Sequence, residues 1–320
     1  MAAPSTASLY AWAWRNVHKL PDAPVRGIAH LVGDLVWLKR GGGVVQLERN
    51  LARLRPDLDQ RDLRRVSRAG MRSYMRYFAE AFQLPGWSTE QIDARVRGVG
   101  WESARAAVDG GSSTVLALGH SGNWDLAGAW ASRTVAPVLT VAEKLPDGLY
   151  EEFVSFRNTL GIEIVPLDGP STFRTLLRAA KARPQIVPLL ADRDLTSRGI
   201  LTTIAGNEAR VAAGPAALAL TLNSQVYPVS VYYERLRGEQ RRRAGTPWGL
   251  VVHFLPPIAS RDEAGVKREV AAVTQDWVSS LFASYADHPQ DWHMLQKVFL
   301  ADLDPARLAA QQPSSSPEAG

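Results

Sequence analysis

The chain changes texture near residue 96. Before that point, apolar positions recur at helical spacing. The pattern predicts helices over residues 9–20, 25–38, 44–54 and 60–84, with Pro21 and Pro24 breaking the first from the second and Gly41-Gly42-Gly43 ending the second. Residues 60–84 place Leu63, Val66, Met71, Tyr74, Met75, Phe78 and Phe82 near one face and six arginines, from Arg61 to Arg76, on the other. After that point, short apolar runs alternate with helical patterns. Strands are predicted at 96–99, 114–119, 138–142, 161–167, 185–190, 226–233 and 249–255. Helices are predicted at 101–109, 125–133, 147–160, 171–182, 214–224 and 262–286. This order predicts an α/β fold with a largely parallel central sheet flanked by helices. Such sheets bind ligands beyond the carboxyl ends of their strands.

The boundaries divide the chain into an N-terminal amphipathic helical segment (1–43), a main domain (44–305) and a Gln/Pro/Ser-rich tail (306–320) predicted to be disordered. No run of about 18 apolar residues is present, so no transmembrane helix is expected. The start has no basic signal region, and a cytoplasmic location is expected. The absence of cysteine excludes disulfides, thiolate metal sites and a cysteine nucleophile.

Charge adds a second asymmetry. The first 100 residues carry 16 Lys and Arg against 9 Asp and Glu, whereas the remainder carries 21 against 23. The basic N-terminal helices also carry Trp12 and Trp14. This combination suits either packing on the protein's own core or an anionic membrane interface. The basic stretch 235–245 reads as a loop between strands, too short and too poor in aromatics for a nucleic-acid site.

Candidate chemistry sits at the end of one apolar run. Gly119-His120-Ser121-Gly122-Asn123-Trp124-Asp125 follows Thr114–Leu118 and precedes an alanine-rich helical pattern. Histidine exchanges protons near neutrality, and a neighbouring carboxylate can fix its tautomer. From spacing alone, His120 and Asp125 also fit a structural pair. Their five-residue separation does not align them on a regular helix, so the turn between them must be irregular. A second strand ends at Ala191-Asp192-Arg193-Asp194. Walker A, GxGxxG, HExxH and GxSxG motifs are absent, and no metal cluster stands out.

Several blocks read together resemble a known family. Leu118–Asp125 looks like the His-x4-Asp/Glu block of the lipid A biosynthesis lauroyl/myristoyl acyltransferases. Gly161–Leu167, Gly206 with Gly214-Pro215-Ala216-Ala217-Leu218-Ala219, and Asp291-Trp292-His293-Met294-Leu295-Gln296 resemble further blocks in the same order. Thr140-Val141-Ala142-Glu143 and Asp192-Arg193-Asp194-Leu195-Thr196 are similar to its phosphatidylinositol mannoside acyltransferase branch. The resemblance covers roughly residues 45–305.

It implies an O-acyltransferase that moves a long-chain acyl group, palmitoyl above all, from acyl-CoA to a mannose hydroxyl of a membrane glycolipid. No cofactor, metal or nucleic acid is implied. His120 would be the general base and Asp125 its orienting carboxylate, with Asp192 a third member of the catalytic site. Glu143, Arg157 and Arg193 would bind substrate, and Trp292 and His293 would be structural supports. The implied location is peripheral, on the anionic cytoplasmic face of the cell membrane. Two departures stand out. The branch has Glu where this chain has Asp192, and Thr203-Ile204-Ala205-Gly206 lacks the family's paired phenylalanines, which bears on the shape of the acyl pocket. The first opens an alternative, the same fold acting on another glycolipid or a lysophospholipid. A non-catalytic acyl-CoA- or lipid-binding relative is the alternative from another class.

Overall fold

A computed structural model of the chain describes residues 12–142, 149–169, 171–194 and 199–303. Glu143 and the tail from residue 306 lie outside the described residues.

After a helical stretch over residues 12–19 come three longer helices: α1 (Asp22–Lys39), α2 (Gly42–Leu54) and α3 (Gln60–Gln83). Arg40, in the left-handed conformation, ends α1. Asp59 caps α3 by accepting the Asp62 N–H. One face of α1 packs on α3. Val25, Gly33 and Trp37 are buried there, and the Trp37 indole donates to Ser67 Oγ at 2.9 Å. A Cβ on Gly33 would lie 3.0 Å from the Met71 carbonyl oxygen, so glycine allows the two helices to approach this closely. The opposite face of α1 is bare and apolar: Ile28, Leu31 and Leu38 are 62%, 59% and 64% exposed, with Leu35 between them. One side of the helix is therefore packed on the protein and the other is exposed.

Four of the six α3 arginines are engaged by other parts of the protein rather than left as a free basic surface. Arg68 and Arg72 both chelate Asp34, Arg64 lies over the Trp37 ring, and Arg76 is buried over Tyr233 and Trp248.

The short helix α4 (Thr89–Arg95) then leads into the α/β region. Its elements are β1 (Val96–Val99), α5 (Glu102–Asp109), β2 (Thr114–Leu118), α6 (Trp124–Thr134), β3 (Val138–Ala142), α7 (Leu149–Thr159), β4 (Ile162–Pro166), α8 (Ser171–Ala182) and β5 (Ile186–Leu190). They are followed by β6 (Ile200–Ile204), β7 (Asn207–Val211), α9 (Gly214–Leu222), β8 (Val226–Arg235), α10 (Gly238–Ala244), β9 (Trp248–Phe254) and α11 (Val270–Asp287). Seven strands form one sheet in the order β1-β9-β8-β2-β5-β3-β4, parallel throughout except for the β8–β9 pair.

β2 lies in the middle of the sheet, between β8 and β5, and all five of its residues are buried. Val115 and Ala117 pack with α8, α9 and α11 on one face, and Leu116 and Leu118 with α6 on the other. An uninterrupted apolar run is what a strand covered on both faces requires.

Three local features differ from the pattern reading. β6 and β7 form an antiparallel hairpin that was not predicted. Its two turn residues, Ala205 and Gly206, both have positive φ, a geometry usually announced by Asn-Gly or Asp-Gly rather than Ala-Gly. The basic stretch 235–245 contains α10, whose Ala244 carbonyl accepts from the buried Arg95 guanidinium. The last helix begins at Val270 rather than at 262, because residues 261–267 close on themselves through an Arg261–Lys267 bridge.

Candidate active site

The His120 turn is built by short-range needs of its own residues. Gly122 has φ +56°, and a Cβ there would meet the Val231 carbonyl oxygen at 2.7 Å. Asn123 caps α6 by accepting the Leu126 N–H at 3.0 Å, while its amide donates to buried Glu80 at 2.9 Å. Burial raises the Glu80 pKa above the ordinary carboxylate range. A second segment lies alongside. Gly122 N–H donates to the Asp291 carbonyl, Ser121 pairs with Trp292 as an antiparallel bridge, and His293 N–H donates to the His120 carbonyl at 2.7 Å. Trp292 and His293 thus hold the turn from behind, as their expected structural role requires. His293 is buried and bonded to Ser73 through Nε2. Burial, with Arg76 and His120 nearby, depresses its pKa to about 3.

The carboxylate at His120 belongs to Asp192. Because β5 is the parallel neighbour of β2, their carboxyl ends lie side by side, and Ala191 N–H donates to the Leu118 carbonyl just past both strands. Asp192 Oδ1 sits 2.6 Å from His120 Nδ1. Its Oδ2 accepts the His120 backbone N–H and the Trp292 indole N–H, each at 2.9 Å. Asp192 is fully buried. Burial alone would raise its pKa. The imidazole and these hydrogen bonds outweigh that and hold it below the ordinary carboxylate range.

An ionised carboxylate only accepts, so Nδ1 carries the proton and the Nε2 lone pair is left free. The His120 side chain remains 24% exposed, enough to reach a substrate. A Cβ on Gly119 would lie 2.6 Å from both Asp192 Oδ2 and the Tyr285 hydroxyl, so the carboxylate occupies space that only glycine leaves.

Asp125 was expected at His120 and is placed elsewhere. It lies in the first turn of α6, where it forms a buried ion pair with Arg157 of α7 and accepts from the Tyr77 hydroxyl at 3.2 Å. The first helical turn points it toward α7 rather than back along the loop. Arg157 therefore joins Asp125. Arg193 instead lines a separate cavity that begins one residue past Asp192. Among the described residues no group of three His, Cys, Asp or Glu is placed to hold a metal ion.

An aromatic wall that the sequence showed only as a helix face runs away from the site. Trp124 lies 5.7 Å from the His120 ring and 4.0 Å from Tyr77. Phe78 and Phe82 continue along α3 to Trp14, which meets Phe156 at 5.3 Å. Tyr74, Phe78 and Phe82 are half-buried rather than core residues.

Comparison with known proteins decides the family. The sequence profile described as bacterial lipid A biosynthesis acyltransferase matches residues 1–301. The chain belongs to that family. This acyltransferase is 37% identical to the phosphatidylinositol mannoside acyltransferase of Mycolicibacterium smegmatis, across 94% of this chain and 93% of that one. It is 35% identical to the Mycobacterium tuberculosis protein of the same name, across 94% of this chain and 90% of that one. The match begins at residue 1, so the acyltransferase profile takes in the N-terminal helices. No described helix of the acyltransferase is long and apolar enough to cross a membrane.

Proposed function

We propose that this acyltransferase moves a long-chain fatty acyl group, palmitoyl above all, from acyl-CoA to a mannose hydroxyl of a phosphatidylinositol mannoside. The observation that carries the reading is the pairing of His120 with the buried Asp192. Nε2 of His120 takes the hydroxyl proton as the sugar oxygen attacks the thioester carbonyl. The C–O bond forms, the C–S bond breaks, and the proton passes to the departing CoA thiolate. Asp192 fixes the tautomer and stabilises the imidazolium that forms in between. General base catalysis of this kind supplies roughly 10²–10⁴-fold. Asp125 and Arg157 form one wall of the acceptor site, with Arg157 held by the pair.

The aromatic run from Trp124 to Phe156 offers the acyl chain an apolar surface. Each buried CH₂ contributes about 0.8 kcal/mol, so a ~16-carbon chain gains roughly 10 kcal/mol before ordering costs. The names carried by the mycobacterial relatives support the acceptor. The bare apolar face of α1 supports a peripheral site on an anionic membrane surface, the cytoplasmic face of the cell membrane in this reading.

The test is incubation with palmitoyl-CoA and a phosphatidylinositol mannoside, followed by mass spectrometry of the lipid products. CoA release and a lipid product carrying one additional acyl group are expected, both abolished in His120→Ala. A clear preference for a non-mannosylated acceptor would overturn the acceptor assignment. Unchanged turnover in His120→Ala would overturn the mechanism.

A further inference from the structure

A second feature adjoins the site along the chain. A cavity of about 560 Å³ is lined by Arg193, Arg210 and Lys297, together with Gly42, Gln46 and Asp194. Two of its walls continue the catalytic scaffold. Arg193 follows Asp192 in sequence, and residues 295–298 follow the Trp292-His293 segment that backs the His120 turn.

Its charges are poorly matched by the protein. Elsewhere arginines meet carboxylates: Arg53 with Asp302, Arg97 with Glu234, Arg183 with Glu163. In the cavity, the Arg193 and Lys297 side chains make no ion pair among the described residues. Arg210 makes a long 3.3 Å bond to the Gly199 carbonyl, and its buried Nε has no acceptor among the described residues. A buried guanidinium N–H without a partner is costly and marks a place where an acceptor belongs. The one carboxylate, Asp194, is engaged by the Gly199 N–H. The cavity also reaches Gly42 at the start of α2, a helix whose N-cap Gly41 supplies no side-chain oxygen. Three cations and the positive end of a helix dipole therefore converge on one space. Phosphoryl oxygens, which accept from guanidinium groups in pairs, are the acceptors that best fill it.

We propose that this cavity binds the phosphoryl groups of a substrate. Taking the substrates from the function proposed above, two sources exist: the phosphates of the coenzyme A donor, and the phosphodiester of the acceptor lipid. The cavity holds that phosphate and so sets the distance from it to the acyl-transfer centre at His120.

Direct binding tests this without turnover. Inorganic pyrophosphate is titrated calorimetrically into the full-length wild-type protein and into Arg193→Gln/Lys297→Gln. Arg237→Gln/Arg242→Gln serves as a control that removes the same charge from exposed positions near α10. Saturable binding is expected, weakened roughly 10–100-fold in the cavity variant and within twofold in the control. Circular dichroism checks that both variants are folded, and Arg193→Lys should recover only part of the affinity. Steady-state kinetics then separate the sources. A raised KM for acyl-CoA, with a much smaller effect on the phosphate-free donor acyl-pantetheine, assigns the site to the donor. A raised KM for the phosphoinositide acceptor alone assigns it to the acceptor. Absence of saturable binding, or equal weakening in the control, overturns the proposal. Absence of any CoA release by the wild type overturns the proposed function and leaves the pyrophosphate result standing.

Discussion

Asp192 grips His120 at two points: Oδ1 lies 2.6 Å from the imidazole Nδ1, and Oδ2 accepts the backbone N–H at 2.9 Å. The same Oδ2 accepts from Trp292, so a single buried carboxylate fixes the ring, the strand end and the supporting segment together. Because this geometry is crowded, small changes around it have large effects.

Gly119→Ala places a methyl group against Asp192 and Tyr285, both fully buried. Overpacking of this kind costs about 1–3 kcal/mol. The displaced carboxylate should also lose its grip on Nδ1. Chemical denaturation should show the destabilisation, and CoA release should fall by more than the loss of folded protein explains.

Asp125 and Arg157 act as a unit. Removing one partner of a buried ion pair costs about 3–5 kcal/mol, because the other charge loses its counter-ion in a low-dielectric setting. The Asp125→Asn and Arg157→Gln variants should each be strongly destabilised. The double variant should be less so than their sum by about 1–3 kcal/mol. A double-mutant cycle read by urea unfolding checks this, and additive costs would show that the pair is not coupled.

His293 makes stability depend on pH. The folded protein holds it neutral down to about pH 3, whereas the unfolded chain protonates it near 6.5. Its stabilising contribution is therefore complete above pH 6.5 and is lost as pH falls toward 3, by at most about 1.4 kcal/mol per pH unit. Glu80 and Asp291, whose pKa values burial raises, act in the opposite sense. Comparison with His293→Gln isolates the histidine. The stability difference between wild type and variant should shrink as pH drops through this window.

The bare face of α1 gives a membrane prediction. Ile28→Ser/Leu31→Ser/Leu35→Ser alters solvent-facing residues and leaves the buried Trp37 contact intact. Each apolar side chain buried in a bilayer contributes about 1.5–3 kcal/mol. Co-sedimentation with anionic vesicles should fall by more than tenfold with no loss of thermal stability. Undiminished binding would remove α1 from the membrane contact.

The sequence made the central strands legible because β2 is covered on both faces, and both it and β5 read as apolar runs. The His120 turn was legible for the same reason, since it ends one of them. The identity of its carboxylate was not legible from local pattern: the family resemblance brought Asp192 into the site but gave the orienting role to Asp125. Asp125 is near in sequence, but Asp192 becomes near only because β5 lies beside β2, a lateral order that local patterns do not encode. The β6–β7 hairpin was hidden by its Ala205-Gly206 turn. The aromatic wall was hidden because half-buried Tyr74, Phe78 and Phe82 follow the same spacing as a core face.

In the proposed mechanism Asp192, rather than Asp125, is the carboxylate that works through His120. The direct measurement is single-turnover CoA release from palmitoyl-CoA and a phosphatidylinositol mannoside by folded Asp192→Asn and Asp125→Asn proteins. Asp192→Asn should lose roughly 10²–10⁴-fold in the acyl-transfer rate. Asp125→Asn should lose less, mainly through weaker acceptor binding. A wild-type rate in Asp192→Asn beside an inactive Asp125→Asn would contradict this mechanism.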